Sequence, residues 1–306
     1  MASLQRRTLS QQARRKIGMS LKQERWVGLF SLLPAFLLLA IFVGYPMFNT
    51  FFHSFTKWDG VTSVFIGWDN FQSILTNGDL PLMLRNNLIF LLSVPGILLI
   101  SLTVSVLLHE EVRGWRFFRS VYYLPAILSS VVIGFLAKSM FTNNGIVNTF
   151  LDKIGLGHFT VDWLNTVPTE FMILILCFYW QTLGQGTLIF LSGLSSISNE
   201  LFDAAKIDGT SWRQKLFYIV IPSLYPAIFY FTIVNVIYVF VGLFGLVYSI
   251  TGGGPGYETT PIDYMIYIQA FRSGNMGYAS ALSVFLFFIV MFITWIQLKI
   301  SNRLEQ

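Results

Sequence analysis

The sequence predicts an all-α membrane protein with six transmembrane helices. Of its 306 residues, 54% are apolar and only 11% are charged, which is too little polar surface to cover a soluble globular protein of this size. Helices are expected because lipid offers backbone groups no other hydrogen-bond partner. Six apolar runs have the roughly 20 residues that a helix needs to cross the hydrocarbon core; they cover residues 27–52, 88–108, 121–141, 171–194, 224–250 and 279–300.

Two alternative interpretations of these runs are a β-barrel and a cleaved signal peptide. The strands of a barrel alternate apolar and polar residues over about ten positions, whereas residues 285–292 are apolar throughout. The first run is longer than the roughly 15 apolar residues of a signal peptide, and it lacks a small-x-small cleavage pattern. We therefore expect the first run to remain as a membrane anchor.

The distribution of Lys and Arg predicts the orientation. Seven of the 20 basic residues precede residue 26, and eight more follow the second, fourth and last runs. By the positive-inside rule, both termini are then cytoplasmic. The chain is expected to consist of a basic cytoplasmic segment, residues 1–26, and a six-helix domain, residues 27–306, with a cytoplasmic loop at about residues 195–222.

Several kinds of chemistry are not expected of this chain. The net charge of +5 arises at the membrane ends rather than in one basic patch, which argues against nucleic-acid binding. The single cysteine and the three widely separated histidines lack the spacing of metal ligands, so we expect no metal site and no catalytic residue. The glycines of residues 252–256 are followed by Tyr257 and Glu258 instead of the Lys and Ser or Thr of a P-loop. Any ATP hydrolysis must come from another chain.

The loop between the fourth and fifth runs carries the most specific pattern. Residues 201–207 and 212–219 each favour a short helix, and Gly209 between them permits a turn with positive φ. Pro222 suits the start of the next span. Two short helices joined at a glycine would form a compact knob, and the paired alanines Ala204 and Ala205 would allow a partner to approach it closely.

This loop resembles the cytoplasmic EAA loop of binding-protein-dependent ABC importers, which reads Glu-Ala-Ala, Gly, Ile and Leu-Pro at fixed spacing. At that spacing the chain has Asp203-Ala204-Ala205, Gly209, Ile219 and Ile221-Pro222. It departs from the motif by Asp for Glu at position 203 and by Ile for Leu at position 221. The alternative is an ordinary amphipathic loop lying on the membrane.

Nearly the whole chain is similar to the sugar permeases of that class, in particular to the larger membrane subunit of maltose-type importers. The similar runs are residues 45–46, 54–58, 67–71, 118–125, 145–148, 251–255, 269–271 and 277–281. The resemblance implies a type I ABC importer permease fold in a bacterial or archaeal cytoplasmic membrane. It also implies carbohydrate import without enzymatic activity in the chain itself.

The resemblance further implies the partners and their contact residues. They are a second, homologous permease, two copies of a cytoplasmic ATPase and an extracytoplasmic sugar-binding protein; ATP and Mg²⁺ would bind to the ATPase, and this chain would bind no cofactor. The binding protein is expected to dock at Gly252, Gly253, Gly254 and Pro255. The residues expected to couple to the ATPase are Phe202, Asp203, Ala204, Ala205, Asp208, Gly209, Ile219 and Pro222.

Polar side chains within the spans predict a substrate pathway, because such residues are unfavourable in lipid. The candidates are Gln181, Thr182 and Gln185 on the fourth span and Asn235, Tyr238 and Gly242 on the fifth. The residues of the fifth span, followed by Gly245, recur at steps that place them on one helical face. Helix packing is the alternative, since amides and small residues also join transmembrane helices.

Two other classes of function stay open. A secondary transporter would need coupling carboxylates within its spans, but none of the six runs contains Asp or Glu. A membrane enzyme would need converging acids, bases or metal ligands near one interface, whereas the acidic residues here are scattered over different loops.

Overall fold

The computed structural model describes residues 26–27, 29–110 and 114–304. The predicted basic segment, residues 1–26, lies outside the described residues except for Trp26. The chain divides after His53 into two compact units. The first contains helix α1 (Leu29–His53), and all the site residues discussed below belong to the second.

The second unit is built almost entirely from helices, as predicted. The helices that precede the loop of residues 195–222 are α2 (Asp69–Thr76), α3 (Asp79–His109), α4 (Trp115–Ile127), α5 (Ser130–Phe141), α6 (Ile146–Lys153) and α7 (Val167–Leu194). The loop and the residues after it form α8 (Asn199–Ile207), α9 (Trp212–Ser223), α10 (Tyr225–Val241), α11 (Phe244–Ile250), α12 (Ile262–Tyr267) and α13 (Met276–Leu304).

Four described helices, α1, α3, α7 and α13, are long and apolar enough to cross a membrane, and there are six spans if each bent helix pair counts as one. The predicted third span is wrong as a single helix. Helix α4 ends at Ile127, and the chain bends by 102° before α5 begins. The bend follows from the extended backbone of Leu128 and Ser129, and the hydroxyl of Ser129 caps α5 by accepting a hydrogen bond from the Val132 amide.

The predicted fifth span is also interrupted. Helix α10 ends at Val241, Gly242 forms its C-cap, and α11 begins at Phe244. A second bend of 71° separates α9 from α10. The predicted fourth span is longer than expected, because α7 begins at Val167 and includes Glu170, which is buried in its first turn.

Small residues bring α5 and α11, the helices that follow the breaks in the third and fifth spans, into close contact. A Cβ atom on Gly134 of α5 would lie 1.7 Å from the Ser249 hydroxyl of α11, and one on Gly245 would lie 2.8 Å from Cβ of Ser130. Since neither position has room for a methyl group, α5 and α11 pack almost backbone to backbone. The two interrupted spans are therefore joined to each other directly after their breaks.

One β-hairpin departs from the all-α prediction. Strands β1 (Thr56–Trp58) and β2 (Ser63–Phe65) pair antiparallel, with Lys57 opposite Val64. The Asp59 carboxylate closes the turn by accepting hydrogen bonds from the amides of Val61 and Thr62 and from the Thr62 hydroxyl. These donors stabilise the charged form and lower the pKa of Asp59 to about 2.

Candidate functional site

A cavity of about 450 Å³, here called the central cavity, lies between α4, α7 and α10. Five of the six predicted pathway residues line it, namely Gln181, Thr182, Gln185, Asn235 and Tyr238. Tyr123 and Ala126 of α4 form a further part of the wall. Every lining residue is uncharged. Amides, hydroxyls and phenol rings therefore face one space, although the residues come from three separate helices.

A hydrogen-bond cluster closes one side of the central cavity. The Gln181 side-chain amide donates to the Ser130 hydroxyl at 3.0 Å, and the Tyr238 hydroxyl donates to the Gln181 carbonyl oxygen at 3.3 Å. The hydroxyls of Ser130 and Tyr238 are also 3.3 Å apart. Because Ser130 is the first residue of α5, the cluster connects the break after α4 to the walls formed by α7 and α10.

Two amides of the central cavity keep hydrogen-bonding capacity. Asn235 is buried and donates to the Phe231 carbonyl one turn earlier, a bond that leaves its side-chain oxygen available. Gln185 is exposed toward the cavity. The cavity can therefore offer both donors and acceptors to a neutral polar ligand.

Gly242 does not line the central cavity, and its predicted place on one helical face with Asn235 and Tyr238 is wrong because α10 ends at Val241. A Cβ atom on Gly242 would lie 2.5 Å from the Tyr238 ring. The glycine therefore leaves room for the tyrosine that lines the cavity.

Sequence reasoning missed Asp263, which holds the break between α10 and α11. One of its carboxylate oxygens accepts a hydrogen bond from the Phe244 amide at 2.8 Å, and the other accepts one from the Tyr264 amide at 2.9 Å. The carboxylate thus binds the first amide of α11, where negative charge stabilises a helix. The available signal was a lone acidic residue within the apolar residues 261–268.

The loop between α7 and α10 forms the two predicted short helices, α8 and α9. Ser198 caps α8, and Ser211 and Gln214 form a reciprocal capping box at the start of α9. Gly209 joins the helices with a φ of +68°, which confirms the predicted turn. The knob, residues 198–222, therefore folds through local signals that its own sequence supplies.

A cleft of about 400 Å³ opens on the knob. Four predicted coupling residues line it, namely Ala204, Ala205, Asp208 and Ile219. Asp203 lies outside the cleft and forms an exposed ion pair with Lys206 at 3.1 Å, which contributes little to stability. Pro222 lies at the end of α9, next to the bend into α10.

Phe202 faces its own chain rather than the cleft. Its ring packs against His109 at the end of α3, with a distance of 5.8 Å between the ring centroids. The Lys215 ammonium lies over the Phe202 ring, 5.7 Å from its centroid. Lys215 also pairs with Glu110 at 2.5 Å. These contacts attach the knob to the C-terminal end of α3.

The glycine loop of residues 252–255 is held by the residues around it. Gly253 has a φ of +83°, and a Cβ atom there would lie 2.3 Å from the Thr260 hydroxyl. The Asn86 amide donates to the carbonyls of Tyr257 and Thr260. Of the four predicted docking residues, Gly252 and Pro255 are exposed, Gly254 is half-buried and Gly253 is buried.

Metal binding has no structural support in the described part of the chain, where no group of three or more His, Cys, Asp and Glu side chains could hold an ion.

The sequence of the chain matches a known family and several of its members. Residues 82–306 match the family model described as "Binding-protein-dependent transport system inner membrane component". The multiple sugar-binding transport system permease protein MsmF of Streptococcus mutans is 30% identical, over 92% of this chain and 96% of its own length. The sn-glycerol-3-phosphate transport system permease protein UgpA of Rhizobium meliloti is 30% identical, over 88% of this chain and 92% of its own.

A solved structure shows the same fold. The chain of a bacterial ABC transporter involved in the import of the acidic polysaccharide alginate superposes with a TM-score of 0.80 at 22% identity, and the match covers 93% of this chain and 98% of that one. The same transporter type has also been solved in complex with an alginate pentasaccharide-bound periplasmic protein, with a TM-score of 0.80 at 21% identity.

Proposed function

The chain belongs to the binding-protein-dependent transport system inner membrane components, and from this premise we propose that it forms half of the carbohydrate pathway of an ATP-driven importer. It is a multi-pass permease component of a sugar ABC importer, not an enzyme. Its own residues would contribute the sugar contacts, the coupling to an ATPase and the docking of a binding protein.

The observation that carries the proposal is the uncharged polar lining of the central cavity. Sugar hydroxyls both donate and accept hydrogen bonds, and Gln185 and Asn235 can satisfy them from two different helices. The phenol rings of Tyr123 and Tyr238 supply aromatic surface beside these amides. Since all the residues that line the cavity are neutral, the lining favours a neutral carbohydrate over an anionic one.

Coupling would pass through the knob. An ATPase surface entering the cleft would meet the small side chains of Ala204 and Ala205 on one wall. The contacts of Phe202 would transmit its movement to α3. Two ATPase copies, with ATP and Mg²⁺, would engage this knob and that of a second, homologous permease. Closure can drive transport only if the knob is held more tightly in one state than in the other.

The binding protein would dock on the outer loops. The family name implies such a partner, and the alginate transporter structure contains a periplasmic protein. Here the exposed Gly252 and Pro255 sit on a loop that Asn86 holds in place. A fixed loop would lose little conformational entropy on binding.

The test is ATP-dependent uptake by the complex purified through a tag on this chain and reconstituted with its binding protein. Maltotriose and raffinose serve as neutral probes, and an alginate oligosaccharide and sn-glycerol 3-phosphate serve as charged, anionic ones. Uptake of a neutral probe only with ATP is the expected result. Uptake without ATP would identify a secondary transporter, and uptake of charged probes alone would overturn the assigned substrate class.

A variant pair locates the pathway. Gln185→Leu removes an amide from the central cavity and should reduce uptake about tenfold, since an unpaired sugar hydroxyl costs on the order of 1–3 kcal/mol. Gln297→Leu is the control, because Gln297 is a half-buried amide of α13 outside the cavity. Equal uptake by both variants would contradict the role of the cavity.

A further inference from the structure

A second cavity of about 400 Å³ lies at the cytoplasmic end of α7, between this helix, α4 and the end of α3. We propose that this exit cavity is a second carbohydrate-binding site, which receives the sugar from the central cavity before release. The proposal rests on the proposed function. Leu188 lines both cavities, so the two sites are neighbours that share one apolar side chain.

Helix α7 and its C-cap carry a polar stripe. Gln181, Gln185, Leu188, Ser192 and Ser195 follow each other at steps of four and three residues, which places them within about 80° of one another around the helix. Three of them, Gln185, Ser192 and Ser195, are exposed on this chain. Exposed polar side chains are unfavourable against lipid. The stripe therefore faces water, a ligand or a partner.

The first half of α7 shows the contrast. Its exposed residues include Met172, Leu176 and Trp180, which are the apolar side chains expected against lipid. The helix thus presents a lipid-type surface in its first half and a polar surface from Gln185 to Ser195. The change occurs where the central cavity begins, which assigns the polar half to the pathway.

Helix α4 forms the opposite wall. Its residues Trp115 and Arg119 line the exit cavity, and Tyr123 and Ala126 line the central cavity. These four residues also follow at helical steps and share one face. At Gly184 the two helices approach closely, since a Cβ atom there would lie 2.6 Å from the Tyr122 carbonyl oxygen. One groove therefore runs along both cavities.

The groove has the chemistry of a sugar site at both ends. In the exit cavity the indole of Trp115 offers a flat apolar face, while Ser192, Ser195 and Arg119 offer hydroxyl and guanidinium hydrogen bonds. The central cavity repeats this combination with Tyr123 and Gln185. An anionic lipid headgroup would also suit Arg119, but it would not require a polar stripe that continues from the middle of the span.

The exit cavity also touches the coupling machinery. His109 lines it and packs against Phe202 of the knob, while the neighbouring Glu110 pairs with Lys215 of the knob. A movement of the knob would therefore displace one wall of the exit cavity. This position suits a site that must release its sugar once per ATPase cycle.

Thiol labelling of the assembled complex in inside-out vesicles tests the site. In a Cys177→Ala background, Ser192→Cys should react with a membrane-impermeant methanethiosulfonate, and maltotriose or raffinose on the cytoplasmic side should slow the reaction at least fivefold. Leu99→Cys is the control, since Leu99 is 61% exposed on the apolar face of α3 and should stay unlabelled.

The labelling results distinguish a sugar site from a lipid headgroup site. An unreactive Ser192→Cys would place the stripe against lipid or protein and overturn the proposal. Labelling that added phosphatidylglycerol slows, and that sugar does not, would identify a lipid headgroup site instead. If the wild-type complex transports neither sugar, the proposed function itself fails; if it transports one that gives no protection, only the second site is wrong.

A second pair of variants tests the role of the exit cavity in transport. Arg119→Ala should lower the maximal uptake rate about tenfold and leave the apparent KM for external sugar unchanged, because the site acts after the sugar has entered. Arg303→Ala is the control, since Arg303 is an exposed basic residue in the last turn of α13 and lies outside the cavity. Equal losses from both variants would attribute the effect to the basic membrane end. Trp115→Phe should retain the rate that Trp115→Ala loses.

Discussion

The close approach of α4 and α7 can be tested by adding one methyl group at Gly184. A Cβ atom there would lie 2.6 Å from the Tyr122 carbonyl oxygen and 2.9 Å from Cα of Tyr123. Both are backbone atoms, so no side chain can rotate away. Ordinary contact begins at 3.4 Å, and Gly184→Ala must therefore shift α4 by about 0.8 Å. Overpacking of this kind costs about 1–3 kcal/mol.

Gly193→Ala on the same helix separates this clash from the intrinsic effect of alanine. Its Cβ atom would lie 2.5 Å from a methyl group of Leu224, which can rotate away. Alanine gains about 1 kcal/mol of helix propensity in the interior of α7 and no more than that at Gly193 in the last turn. A lower stability of Gly184→Ala must therefore come from the contact with α4.

The assay is the apparent melting temperature of the purified complex, together with ATP-driven uptake. Gly184→Ala should melt roughly 2–12 °C below Gly193→Ala, by the scaling for domains of 150–250 residues. It should also transport more slowly, because α4 forms one wall of both cavities. Equal melting temperatures for the two variants would refute the close approach of the helices.

Substitutions in the knob and at the break between α10 and α11 should have separate effects. Gly209→Pro should leave the complex recoverable but abolish uptake, since proline cannot adopt the φ of +68° that joins α8 to α9; normal uptake would show that the corner has no part in coupling. Asp263→Leu should lower stability by about 0.5–2 kcal/mol by removing the cap of α11, while Asp263→Asn should retain most of it. Equal melting of both Asp263 variants would contradict the capping role.

The knob was predictable because its signals are local. Gly209 occurs where the backbone must turn with positive φ, and Ser211 and Gln214 lie three residues apart as a capping box requires. The sequence contains every group that these hydrogen bonds use. No distant residue is needed to decide where α8 ends or where α9 begins.

The central cavity was predictable for a different reason. Gln185 and Asn235 are polar residues in apolar runs, and burial in lipid would be unfavourable for either of them. The sequence therefore indicates that each must face something other than lipid. It does not indicate that α4 completes the cavity, because Tyr123 and Ala126 are ordinary residues of an apolar span.

The two helix breaks carry only weak local signals, the Ser129 cap and Gly242, and the contacts that hold them come from residues far apart in the chain. Residues 121–141 and 224–250 are apolar over the length of a full span, and hydropathy measures nothing else. The break after α4 is held by Ser130, Gln181 and Tyr238. The break before α11 is held by Asp263, nineteen residues beyond Phe244. Only the folded arrangement brings these partners together.

The position of the breaks explains how one molecule can combine a fixed core with a movable pathway. Gln181 and Tyr238 belong both to the wall of the central cavity and to the cluster at Ser130. A tilt of α4 relative to α5 would therefore change the shape of the cavity through two hydrogen bonds, while the close packing of α5 on α11 stays intact. Broken helices at a binding site are a recurrent solution in transporters. Here the cluster at Ser130, the central cavity and the exit cavity all lie beside α4 and α7. A movement that reaches these helices from the knob therefore acts on all three together.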